Sequence, residues 1–188
     1  MSVLSSLQSI LNEVTQRFGQ RLESVCAAHP DEIYVHAKMD LVAGFTAHLC
    51  RRWQARLVSL FADDARLAGG AFHLYYVFAL DAAHGFIILR VPVPADQPEF
   101  ASLTNAVHAV NWQEREIQDL FGLKLFGHPN PRRCALHDDW PEVYPLRKDF
   151  DLRTQLPPFK GERHKFREVE GEGVFQVPVG PVHAGIIE

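Results

Sequence analysis

Asn111 to Phe150 reads NWQEREIQDLFGLKLFGHPNPRRCALHDDWPEVYPLRKDF. The part up to Phe121 has helical spacing. Asn111 is placed to cap that helix and Glu114 sits at its third position, a capping-box-like start, with Trp112, Ile117, Leu120 and Phe121 turned inward. From Gly122 onward glycine and proline rise sharply, and regular structure gives way to an extended, wrapped segment, a strap. Here Arg132, Arg133, Arg147 and Lys148 are interleaved with Trp140, Tyr144 and Phe150. Planar guanidinium groups suit forked contacts to carboxylates and stacking on rings, and interfaces are rich in Arg, Trp and Tyr. Pro129, Pro131, Pro141 and Pro145 stiffen the segment, which lowers the entropy lost on binding. The strap either packs on its own domain or, fixed to it, presents one face to a neighbour.

Outward from this stretch, Leu4, Leu7, Leu11, Val14, Phe18, Leu22 and Val25 recur at spacings of three and four, one apolar stripe on a helix that ends at His29-Pro30-Asp31. Ile33 to Ala37 reads as a short strand and Leu41 to Trp53 as a second amphipathic helix. Three β-rich runs follow, Arg56 to Ala62, Phe72 to Leu80 and Phe86 to Val91. Asp81 to Gly85 reads as a hairpin connection in which Gly85 supplies the unusual backbone angles. Pro92, Pro94 and Pro98 stop the sheet. Asp151 to Gly173, with the run Lys160 to Lys165, reads as a charged linker. The fold class is α+β: helices packed on a mostly antiparallel sheet, followed by an extended Pro-rich strap and tail.

The chain has 188 residues, 47% of them hydrophobic, enough for one core. A net charge of −4 gives no global basic field, so nucleic acid is not an expected partner. Three scattered cysteines, Cys26, Cys50 and Cys134, offer neither a disulfide framework nor the four thiolates of an iron–sulfur cluster. Cys134, His137, Asp138 and His128 are possible metal ligands, but a CxxH with no second pair is a weak zinc signal. The alternative has His128 and His137 hydrogen-bonded to backbone. Glu114, Glu116 and Asp119 can be read as a general acid and base; the structural reading is an ion network in which Arg115 pairs with Asp119 four residues on. No nucleophile with its base, P-loop or dinucleotide fingerprint is present. The apolar runs fall short of the roughly 20 residues that span a bilayer, so membrane association is expected through partners.

Glu114-Arg115-Glu116, Asp119-Leu120-Phe121-Gly122, Gly127-His128-Pro129, Arg132-Arg133, Asp138-Asp139-Trp140 and Pro145-Leu146-Arg147-Lys148-Asp149-Phe150 form one ordered set. The set resembles the signature of the 30-kDa subunit family of respiratory NADH dehydrogenases, and of the related domain that opens the large subunit of formate-hydrogenlyase-type [NiFe] hydrogenases. Phe175 to Glu188 resembles the opening of the [NiFe]-site module of such large subunits. The resemblance implies a 30-kDa-type domain over residues 1–150, then a linker and the start of that module over 151–188, and a chain that is the opening piece of a longer polypeptide. Cys134 to His137 and Asp151 depart from the pattern. Glu188 matches a glutamate near the metal centre of the hydrogenase motif but is not expected to be catalytic here.

The expected role is a non-catalytic interaction domain of a membrane-associated oxidoreductase. It would be cytoplasmic and peripheral to the inner membrane, carry no cofactor itself, and dock the [NiFe] module and the iron–sulfur small subunit. Membrane subunits would be reached indirectly. The [NiFe] centre and [4Fe-4S] clusters are implied in the downstream module and the partners. The docking set is Glu114, Arg115, Glu116, Asp119, Gly127, His128, Pro129, Arg132, Arg133, Asp139, Trp140, Arg147 and Lys148. The alternatives are a stand-alone 30-kDa-type subunit of NADH:quinone oxidoreductase and, from another class, a soluble metalloenzyme or hydrolase using Glu114, Glu116, His128 and His137.

Overall fold

The apolar stripe beginning at Leu7 forms helix α1 (Leu7–Phe18), which buries Ile10, Val14 and Phe18. It ends sooner than the spacing suggests. A 3-10 turn over Gly19–Arg21 breaks it, and Leu22 and Val25 belong to strand β1 (Leu22–His29). β1 turns at Pro30-Asp31 and pairs antiparallel with β2 (Glu32–Ala37), Val25 opposite Val35. A spacing of three between Leu22 and Val25 suits the helix, but the hairpin ladder satisfies the backbone there. The coordinates are a computed structural model describing residues 7–157 and 170–175. Leu4, the run Lys160 to Lys165 and residues 176–188, Glu188 included, lie outside the described residues. Met1–Pro158 makes one compact unit and Phe159–Glu188 another.

The second helix, α2 (Val42–Trp53), follows a 3-10 turn at Met39–Leu41 and inserts Phe45 and Leu49 into the core. Strand β3 (Arg56–Ala65) leads through the single turn α3 (Arg66–Gly69) into β4 (Ala71–Leu80), and β5 (Gly85–Pro94) follows. The sheet order is β1-β2-β5-β4-β3. Every neighbouring pair is antiparallel except β2 with β5, which is parallel because α2 and the β3–β4 hairpin intervene. Alternation along the strands sends Leu74, Tyr76 and Phe78 of β4 and Ile87, Leu89 and Val91 of β5 to one face. These residues form one cluster with Ile10, Val14, Phe45, Leu49, Ile117 and Phe121, so the helices lie on a single side.

Two turn readings need correction. The β4–β5 link is a 3-10 turn over Asp81–Ala83, and the left-handed residue is His84, at φ 49°, not Gly85. Gly85 is required for space: a Cβ there would lie 2.6 Å from the carbonyl oxygen of Asp31, which accepts the Phe86 N–H at 2.7 Å. Pro92 and Pro94 do not stop the sheet; both lie inside β5. Beyond Arg90, β2 has ended and only β4 pairs with β5, so a missing N–H leaves no gap in a ladder. Two three-residue strands were not legible in the sequence: β6 (Glu99–Ala101) pairs parallel with β7 (Lys124–Phe126). Between them runs α4 (Asn111–Phe121).

Among the described residues three histidines are held below their ordinary range. Burial lowers His36, His48 and His73, and nearby cations, Arg90 for His36 and His73 and Arg17 for His48, push the same way. A histidine whose folded pKa is depressed charges more readily unfolded, so its contribution is complete above the unfolded value of about 6.5 and is lost as pH falls below it. The lowered carboxylates Asp64 and Asp149 act in a separate window, below about pH 4. The urea midpoint of unfolding is therefore expected to drop between pH 7.5 and 5; a flat midpoint over that range contradicts this assignment. Gly85→Ala is expected to cost about 1–3 kcal/mol in the same measurement, because a backbone carbonyl must move.

Candidate functional site

Helix α4 carries four polar side chains that bond within the domain: Glu114 in line with its apolar stripe, and Arg115, Gln118 and Asp119 beside it. Glu114 is fully buried. It does not cap its own helix, and Asn111 is not the cap: Val110 occupies that position without a side-chain bond, and Asn111 is already helical. The Glu114 carboxylate instead accepts from Ser102 Oγ at 2.5 Å, Leu103 N at 2.6 Å and Thr104 Oγ1 at 2.6 Å. A buried carboxylate is tolerable only when so satisfied, and here it pins the loop after β6.

His128 closes the same pocket. Its side chain is buried, and Nδ1 accepts the Asn130 N–H at 3.0 Å. The neutral ring then carries its proton on Nε2, which lies 3.9 Å from Glu114 and makes no hydrogen bond among the described residues. The hydroxyl of Tyr76, also buried and without a hydrogen bond among the described residues, lies on β4 near the same carboxylate; burial first, and Glu114 second, raise its pKa.

One turn further on, the helix holds the strap. Arg115 does not pair with Asp119. Its Nε and Nη2 donate to the carbonyls of Arg132 and Arg133 at 2.7 and 2.8 Å. Gln118 donates to the Pro131 carbonyl at 2.9 Å. Asp119, 2% exposed, accepts the N–H groups of Cys134, Ala135 and Leu136 at 2.8, 2.9 and 3.3 Å. Six consecutive strap residues thus hang on one helix face. Gly122 ends that helix in the left-handed region, φ 68°, and a Cβ there would crowd Tyr144 and come within 2.7 Å of Arg147 Nη2.

The strap's far end is fastened too. Arg147 donates to the carbonyls of Phe121 at 2.6 Å and Gly122 at 3.4 Å, with its guanidinium over the rings of Tyr144 and Phe72. Asp64, at the end of β3, accepts the Lys148 N–H at 2.8 Å and a fork from Arg66, which also reaches Asp149 at 3.0 Å. The Arg66 fork holds Asp64 well below the usual carboxylate range. Trp140 closes a local turn, its Nε1 donating to the Val143 carbonyl at 2.8 Å.

The sequence-predicted set therefore divides. Glu114, Arg115, Asp119, His128 and Arg147 are internal fasteners. Lys148 uses its backbone inward while its side chain is exposed. Glu116, Gly127, Pro129, Arg132 and Asp139 are exposed, and Arg133 is half-buried, 3.4 Å from Glu142. Trp112, read as inward, is 66% exposed on the outer face of α4, with Arg115 over its ring. Sequence reasoning missed Ser102, Thr104, Gln118, Asp64 and Arg66. Only Asp64 left a trace, as one of two consecutive acids, Asp63 and Asp64, closing a strand run. Cys26, Cys50 and Cys134 sit on β1, α2 and the strap, and among the described residues no group of three or more His, Cys, Asp or Glu is placed to hold a metal.

Asp119→Ala strands three strap N–H groups and is expected to lower stability by about 2–4 kcal/mol, with Asp119→Asn recovering part of the loss. Glu116→Ala, on the exposed face, should change stability by less than about 0.5 kcal/mol. Denaturant melts of the three variants check this. Equal losses for Asp119→Ala and Glu116→Ala would contradict the assignment.

Comparison with known proteins fits this architecture. The chain is 35% identical to hydrogenase-4 component G of Escherichia coli K12 over 82% of its length and 37% identical to formate hydrogenlyase subunit 5 of the same organism over 81%. In each case it spans only 28% of the relative. A solved structure of the membrane-bound sulfane sulfur reductase, an archaeal respiratory membrane complex, contains a chain with the same fold, at TM-score 0.65 and 17% identity over 85% of this chain and 98% of that one. Residues 35–156, which hold the sheet from the second half of β2 onward, α4 and the strap, match the family of the respiratory-chain NADH dehydrogenase 30 Kd subunit, and the chain belongs to that family.

Proposed function

We propose that this chain is a non-catalytic docking domain of a membrane-associated respiratory oxidoreductase of the energy-converting [NiFe] hydrogenase or formate hydrogenlyase type. It joins a catalytic [NiFe] large-subunit module to an iron–sulfur small subunit. The observation that carries this reading is the use of the motif's acids. Glu114 and Asp119, the groups best suited to acid–base work, are buried and spend their oxygens on backbone and hydroxyl donors. What they build is a stiff strap with a settled outer surface. The 35–37% identity to hydrogenase-4 component G and formate hydrogenlyase subunit 5, over about a quarter of each, supports one domain of a larger subunit.

On this reading the nickel–iron centre and the [4Fe-4S] clusters belong to the downstream module and the partners. The domain sits on the cytoplasmic side, peripheral to the inner membrane, and reaches membrane subunits indirectly. No helix among the described residues is long and apolar enough to cross a membrane. The docking face comprises exposed Trp112 and Arg132 with half-buried Trp140 and Arg133 beside them. A large exposed aromatic beside arginines on a preorganised surface is the composition of an interface anchor.

Full-length chains carrying Trp112→Ala or Arg132→Glu should keep the wild-type melting behaviour within about 1 kcal/mol. They should co-purify with the iron–sulfur partner at least several-fold less well, since an anchor residue is worth about 2 kcal/mol or more. Arg147→Ala should do the reverse first and lose stability. Normal co-purification of both surface variants would rule out this face as the docking surface.

A further inference from the structure

The helices occupy one side of the sheet; the other side is uncovered among the described residues and unusually apolar. Strand register lines up cross-strand rows on it. One runs Ser24, His36, Arg90, Tyr75, Phe61, and the next Cys26, Tyr34, Ile88, Val77, Ser59. Phe61 is 46% exposed and stacks on Tyr75 at 4.9 Å, and Phe86 is 40% exposed. A solvated face of an antiparallel sheet ordinarily alternates to polar residues. Toward one end this face carries Ser59, Glu32 and Arg56, and its other polar residues gather at the opposite end, around Arg90.

That end holds a second anomaly. Arg90 is half-buried, yet its only hydrogen bonds among the described residues run from Nη2 to the ring of His73, 2.9 Å from Nε2 and 3.1 Å from Nδ1. It makes no ion pair among those residues. With His36, Pro92 and Glu23 these two residues line a recess of about 120 Å³. Glu23 stands at the rim on β1, and Asp63 lies opposite His73 on β3. Neither acid bonds the half-buried guanidinium among the described residues, and a carboxylate is the group its fork matches. Burial first, and Arg90 second, lower His36 and His73, with Glu23 and Asp63 opposing in part, so Arg90 carries the positive charge of the recess at neutral pH.

We propose that the open sheet face is a second docking surface, on the side away from the helices, and that its occupant is a protein segment with large apolar side chains around one acidic residue. The acid enters the Arg90–His36–His73 recess, and the apolar side chains cover Phe61, Tyr75, Val77 and Phe86. Charge complementarity sets the occupant's chemistry. This surface rests on the docking-domain reading above but is separate from the strap.

The test uses the full-length chain in its assembled complex. A photo-crosslinking benzoylphenylalanine replaces Phe61 in one preparation and Arg132, on the strap, in another. The Phe61 site should crosslink to a segment of a neighbouring module or subunit that carries an Asp or Glu among apolar residues. Arg90→Glu should cut that yield at least tenfold, and exchanging the partner's acid for Lys in the Arg90→Glu background should restore it. Arg90→Gln, which keeps the shape, should fall between. A crosslink at Arg132 with none at Phe61 overturns this inference and leaves the docking domain standing; none at either site overturns both. A Phe61 crosslink to a second copy of this chain, or to a segment without a carboxylate, also overturns it. The crosslink in the otherwise unaltered chain decides the matter even if the Arg90 variants fail to fold.

Discussion

A segment that leaves helix and sheet must still find partners for its peptide groups, and residues 131–136 find theirs on α4. Arg115 and Gln118 serve three strap carbonyls, and Asp119 serves three strap N–H groups. The division follows from chemistry: a guanidinium and an amide can donate, a carboxylate can only accept, and the strap presents its carbonyls first and its N–H groups after. Spacing matters as much. Residues 115, 118 and 119 share one helix face, so a chain crossing that face meets all three. A helix of this design substitutes for the neighbouring strand that an extended segment would otherwise require.

The same logic fixes both flanks. Glu114, on the buried side of α4, collects the loop at Ser102 to Thr104, while Asp64 and Arg66 collect the strap's end at Lys148 and Asp149. Buried ion pairs gain little over apolar packing of the same volume, but breaking one is costly, so such groups fix geometry more than they add stability. The guanidiniums of Arg66 and Arg147 both stand over Phe72, at 4.8 and 5.3 Å from its ring centre. The sheet, the end of α4 and the strap therefore meet at one residue.

Much of the α+β plan was readable because long amphipathic and alternating runs have few other solutions. β2, α2 and the β4–β5 hairpin fall close to where periodicity places them. The failures have specific causes. Leu22 and Val25 continue the helical spacing by coincidence and were claimed by the β1–β2 ladder. Trp112 was turned inward on hydrophobicity alone, though Ile117 and Phe121 already fill that side. Glu114 fits a capping box as well as it fits a buried anchor, and only the loop brought to it from Ser102 to Thr104 separates the two. β6 and β7, three residues each, are too short for any period to register. The candidate site was legible as a list of residues, while their roles depended on contacts 10 to 84 positions away in sequence.

Placing every helix on one side of a five-stranded sheet has a consequence for assembly. The helix side is completed within the chain, because α4 and the strap close it. The opposite side has no such cover among the described residues, yet its central rows hold Tyr34, Ile88, Val77, Tyr75 and Phe61 in place of the polar residues that water would favour. Arg90 sharpens the argument. Leaving a guanidinium half-buried against imidazole forgoes the stronger pairing with a carboxylate, a loss that a self-contained domain has no reason to carry. A domain whose strap is already satisfied by its own helix, and whose sheet is not, has its unmet physical requirements on the sheet. Partner contacts there would complete the fold as well as the complex, whereas contacts on the strap would only read a surface that is already rigid.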